Sequence, residues 1–115
     1  MSEKEYCGEI YMETKIVQVR DSPTGSWKHL RPQPSQRVWN HSPDGFSWGY
    51  GGSGPAQLAL AILLDAYGEQ FAKKHYQDFK WEFVAKWPMD GSWVLDAWQL
   101  RQFKEACETA EAKHE

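Results

Sequence analysis

A chain of 115 residues with 41% hydrophobic and 25% charged side chains has the make-up of one soluble globular domain, long enough to bury a core without metal or disulfide staples. Its net charge of −3 argues against a general nucleic-acid binder, which carries a basic footprint. The two cysteines, Cys7 and Cys107, are too few and too far apart for a disulfide framework or a paired zinc motif, and they suit free thiols in a reducing cytosol.

The start, MSEKEYCGEI, is acidic and lacks the apolar stretch of a secretory signal. Residues 1–4 read as a flexible tail. EYCGEIYMETKIVQVRD reads as two short strands, with Ile16, Val17 and Val19 as β-branched members and Lys15, Gln18 and Arg20 as polar partners. Residues 21–26, DSPTGS, are a turn cluster. WKHL, 27–30, reads as a returning strand, and RPQPSQ, 31–36, as extended loop because of its two prolines. VWNHSPDGFSWGY, 38–50, reads as strand, turn, strand. Ser42-Pro43-Asp44-Gly45 forms the β-turn, and Phe46 and Trp48 share one face of the following strand.

Four glycines and a serine then fall in GYGGSG, 49–54. Ser53 or Gly54 is the expected N-cap of a helix, and Pro55 sits in its first turn, where a missing N–H costs nothing. Residues 56–66 are apolar on nearly every face, the mark of a buried helix. That run falls short of the ~20 residues needed to span a bilayer. Gly68 is the expected C-terminal stop. EQFAKKHYQDFKWEFVAKW, 69–87, reads as a second helix with an aromatic face of Phe71, Tyr76, Phe79 and Phe83, its lysines lying off that face. PMDG, 88–91, breaks the chain. SWVLD reads as a short strand or an entry loop, with Asp96 as N-cap of a third helix that frays into a flexible end at 112–115. The expected fold is α+β: one domain, 1–115, with a small antiparallel sheet in the N-terminal half packed against about three helices in the C-terminal half.

Charge is unevenly spread. Residues 1–14 carry a net −3, residues 15–43 a net +4 and residues 44–115 a net −4. The basic stretch holds Lys28, Arg31 and Arg37 and directly precedes the glycine loop.

A glycine-rich turn feeding a helix N-terminus presents backbone N–H groups and the positive end of the helix dipole, which suits an anion. On this reading Gly51, Gly52, Ser53 and Gly54 supply donors and Tyr50, Trp48 or Trp39 stacks on a base. Arg31 or Arg37 folds back to neutralise charge, and Gln57 and His41 complete the site. The loop lacks the Gly-Lys-Ser/Thr ending of a nucleoside triphosphatase and the Gly-x-Gly-x-x-Gly of a dinucleotide fold. The competing reading makes the loop a tight corner under a buried helix. Gln57 is ambiguous in the same way, since a buried amide must find partners in either case.

His41 and Ser53 are the only candidates for hydrolase chemistry, as base and nucleophile. The adjacency of His41, Ser42 and Asp44 speaks against a triad. His29, His41, His75 and His114 show no metal-ligand spacing, and no motif calls for a cofactor. Seventeen aromatic residues, seven of them tryptophan, also leave room for an exposed contact surface. Trp81, Trp87 and Trp98 rimmed by acids would suit a protein partner.

Over NHSPDGFSWGYGGSGPAQLALAILLD, residues 40–65, the sequence resembles an uncharacterised domain family of bacteria, plasmids and bacteriophages, with GSWVLDAW also similar. The resemblance implies a setting of small accessory genes, whose products often bind or sequester a host component, and no assigned activity, cofactor or catalytic residue. The expected function is therefore that of a small cytoplasmic binding protein for an anionic molecule such as a nucleotide. The alternative is a protein-interaction module or inhibitor of a host defence complex. Neither membrane nor general nucleic-acid binding is expected, and the sequence leaves the oligomeric state open.

Overall fold

The computed structural model describes residues 3–113, so His114 lies outside the described residues. Two strands open the chain, β1 (Glu5–Tyr11) and β2 (Thr14–Arg20). They pair antiparallel in register from Glu5 opposite Arg20 to Tyr11 opposite Thr14. The link is a two-residue turn, Met12 and Glu13, both at positive φ (49° and 67°), the form whose twist matches a hairpin. β3 is only Lys28–His29, on the outer side of β2, and β4 (Trp93–Leu95) adds antiparallel to β1. The sheet order is β3-β2-β1-β4.

Alternation along the strands sends Tyr6, Val17, Val19, Trp93 and Leu95 to one face. That face joins the core under the helices α2 (Ser53–Tyr67), α3 (Glu69–Glu82) and α4 (Ala97–Lys113). α2 is buried continuously from Gly54 to Ile62 and Leu63, as its all-round apolar sequence requires. The α+β fold is thus present, with a four-stranded sheet and three long helices. Among the described residues no helix is long and apolar enough to cross a membrane.

Several local expectations are corrected. The segment read as extended loop contains a short helix, α1 (Gln33–Val38), with Pro32 as N-cap and Pro34 within the first turn. Both prolines fit there because first-turn N–H groups have no helical partner to lose. Residues 38–50 form no strands. The Ser42–Gly45 turn is real, closed by Gly45 N–H donating to the Ser42 carbonyl at 3.3 Å, but the chain around it is irregular. α2 starts from Gly52 as N-cap, with no side-chain cap bond, rather than from Ser53 or Gly54. The second helix stops at Glu82 and continues as a 3-10 turn, Val84–Lys86.

The Asp96 cap is present in reciprocal form. Asp96 Oδ1 accepts from Gln99 N–H at 2.8 Å, and Gln99 Oε1 accepts from Asp96 N–H at 3.1 Å. At the ends, Lys4 Nζ reaches Asp65 Oδ2 at 3.1 Å, and residues 112–113 still belong to α4.

Candidate functional site

Gln57 organises the approach to the glycine loop. It is fully buried. Its Oε1 accepts from His41 N–H (2.7 Å) and Ser42 N–H (3.0 Å), and its Nε2 donates to Ser35 Oγ (2.9 Å) and the Trp39 carbonyl (3.1 Å). All four hydrogen-bonding positions of the amide are used within the protein. The residue binds α1 and the irregular 39–42 segment onto α2.

Those bonds set an aromatic cluster. His41 Nε2 lies 2.8 Å from the Tyr76 hydroxyl on α3. Trp39 packs against Tyr76, with centroids 5.6 Å apart, and Lys73 Nζ sits 5.1 Å above the Trp39 ring. Among the described residues no hydrogen bond joins His41 to Ser53, the pair a hydrolase reading requires, and no group of His, Cys, Asp or Glu is arranged to hold a metal.

The loop itself is closely packed. Gly49 has φ +89°, and a Cβ there would lie 2.5 Å from the Met89 backbone. A Cβ on Gly51 would overlap the Trp81 ring. The Tyr50 ring folds over Gly52, and Ser47 lies against Gly54. The glycines therefore make the strandless corner possible, whatever else they do.

Trp48 is also spent on structure. It is fully buried, its Nε1 donates to the Pro88 and Gly91 carbonyls (3.0 and 3.1 Å), and Lys15 covers one side of its ring at 4.7 Å. The stacking face expected of it is taken up by the core. Arg31 lines two cavities at the sheet edge with His29 and Leu30, in neither of which the glycine loop takes part. Arg37 is exposed in the last turn of α1.

The structure adds residues that sequence reasoning left aside. Lys80 is only 7% exposed, yet among the described residues it has no carboxylate partner. Its ammonium donates to the Gly51 carbonyl at 3.3 Å and lies 4.3 Å above the Trp81 ring. Lys73, Tyr76 and Lys80 stand at i, i+3 and i+7, one side of α3. That spacing is legible in the sequence as one side of α3, but not the loop that meets it. Three exposed aromatics surround this side: Trp39 (41%), Tyr50 (42%) and Trp81 (57%). The exposed Gly51 and Ser53 and the N-terminus of α2 lie beside them. Of the other two tryptophans expected on a contact surface, Trp98 is exposed, whereas Trp87 stacks on Trp93 with centroids 3.8 Å apart.

The chain matches a family of unknown function (DUF6166) over residues 8–106, and it belongs to that family. No curated protein and no solved structure matches it.

Proposed function

We propose that this member of the family is a non-catalytic binding protein for an anionic molecule carrying an aromatic ring, a nucleotide being the simplest case. Lys80 carries the reading. A lysine only 7% exposed, whose ammonium has a carbonyl and a ring but no carboxylate beside it among the described residues, is costly unless an anion completes its environment. Its hydrogen-bond partner Gly51 immediately precedes Gly52, the N-cap of α2, where a helix start also favours an anion. Lys73, loosely paired with Glu69 at 4.0 Å, adds a second positive charge on the same side of α3. Tyr50, Trp81 and Trp39 offer rings for a base to stack on.

Relative to the sequence expectation, the arginines give way to Lys73 and Lys80, and Trp48 gives way to Trp81. The reading keeps the accessory role of phage or mobile-element type that the resemblance implies, and the cytoplasmic setting that two free thiols suit. Isothermal titration of the protein with inorganic phosphate and with nucleoside mono-, di- and cyclic phosphates tests it. One class binds the native protein, and Lys80→Met, which stays folded, loses that binding. Failure of every class to bind removes the proposal.

The second reading, a protein-interaction surface, draws on the same three exposed rings. Aromatic side chains are enriched at the centres of such contacts. It predicts a partner whose binding survives Lys80→Met and is lost in Trp81→Ala.

A further inference from the structure

A different side of α3 faces α4 across an open groove of about 620 Å3. Its floor is Phe103, Ala106, Cys107 and Ala110, at i, i+3, i+4 and i+7 of α4, and its walls carry Lys74, His75, Asp78, Glu82 and Glu111. We propose that this groove docks a basic amphipathic helix of a partner protein, its apolar side on the α4 floor and its lysines or arginines against Asp78 and Glu82.

Three observations carry the proposal. The floor is apolar and built from small side chains beyond Phe103, so the space an inserted side chain needs is already there. From Phe103 to Ala110 it runs about 10 Å, two helical turns, the length over which i, i+3, i+4 and i+7 anchors of a bound helix repeat. The wall charges are unbalanced, with one lysine against three carboxylates.

Part of that charge is settled internally. Glu111 lies 2.6 Å from His75 Nε2 and 3.4 Å from Lys74 Nζ. Asp78 and Glu82 have no ion-pair or hydrogen-bond partner among the described residues. They stand one turn apart on the lip of the groove and are the charges a basic helix would meet. Burial, reinforced by Asp78, Glu111, Glu82 and Glu108, pushes the Cys107 thiol up to about 11. The floor therefore stays neutral while its surroundings favour a cation. The groove is open along its length, so a small cation would leave most of the floor wet, whereas a helix covers it.

The test uses the 15N-labelled protein and a synthetic 14-residue peptide of leucine and lysine patterned as an amphipathic helix. The expected result is amide shifts confined to residues 74–82 and 103–111, with affinity falling as salt rises. Asp78→Asn with Glu82→Gln weakens binding roughly tenfold, two partly exposed pairs together accounting for about one decade. Ala110→Trp fills the floor and abolishes it. Should that variant fail to fold, the charge variant alone decides. Shifts mapping elsewhere, equal binding of a leucine–glutamate peptide of the same pattern, or indifference to the charge variant would each overturn the proposal. So would self-association through residues 103–111 in the absence of peptide, because the occupant would then be a second copy of this chain.

Discussion

Gln57 holds the irregular segment before the glycine loop by four hydrogen bonds, and no backbone ladder shares that task, since residues 39–52 form neither helix nor strand. Gln57→Leu keeps the volume but leaves the His41 and Ser42 amides without their acceptor. We expect a loss of about 2–5 kcal/mol in urea unfolding, the cost of several buried polar groups left unpaired. The sequence exposed Gln57 as the one polar side chain in a greasy helix turn. It could not tell which backbone groups would converge on it, because those bonds exist only once α1 folds back. Lys80 was hidden for a related reason. Helical spacing places it beside Tyr76 and Trp81 follows it in the chain, but its contact with Gly51 exists only once the glycine loop folds against α3.

Cys107 yields a pH prediction at the same scale. Its thiol is raised to about 11 in the folded protein, against an unfolded value near 8.5. The neutral form is therefore the one the fold favours. The associated stability is complete below the unfolded value and is lost as pH rises through about 11. Stability measured by urea unfolding should fall across that window, and Cys107→Ser should fall less steeply. Equal slopes for the two proteins would show that Cys107 carries no such linkage.

At the scale of elements, the well-patterned pieces were legible: the β1–β2 pair from its β-branched residues, α2 from its continuous apolar run, and α4 from Asp96. Gly68 was legible too, and the structure shows why it must be glycine. It ends α2 and begins α3 at φ 92° and ψ 174°, backbone that other residues scarcely adopt. A Cβ there would touch nothing within 4 Å, so Gly68→Ala isolates backbone strain. It should cost about 1–3 kcal/mol, and a neutral outcome would mean that the joint relaxes.

The β1–β2 turn offers the opposite test. Met12 and Glu13 occupy positive φ without being glycine or asparagine. Replacing the pair by Asn-Gly should raise stability by roughly 1 kcal/mol, or several degrees in Tm. α1 was not legible because its two prolines look like loop residues until their first-turn positions are known. The aromatic run 38–50 imitates strands, yet Trp48 and Phe46 are placed by packing against the core rather than by a ladder.

Taken as a whole molecule, the protein divides its charges across α3. Lys80 meets the glycine loop at Gly51 and Lys73, on the same side, covers the Trp39 ring, whereas Asp78 and Glu82 face the groove beside α4. A single helix thus separates a surface suited to anions from one suited to cations, and a modest net charge of −3 conceals both. The two surfaces should respond independently. Asp78→Asn with Glu82→Gln is expected to leave nucleotide or phosphate binding unchanged, and Lys80→Met to leave peptide binding unchanged. Titrating each variant with the other surface's probe checks this directly.

The central claim is that Lys80 awaits an anion at the glycine loop. The most direct measurement is a thermal-shift comparison at low salt of the native protein and Lys80→Met. Both would be scanned against inorganic phosphate and nucleoside mono-, di- and cyclic phosphates. Ligand present at 100 times its dissociation constant contributes ~2.7 kcal/mol, roughly 10 °C for a domain of this size. The account predicts such a shift for at least one of these anions with the native protein, and none with Lys80→Met. No shift across the whole panel, or the same shift in both proteins, would contradict it.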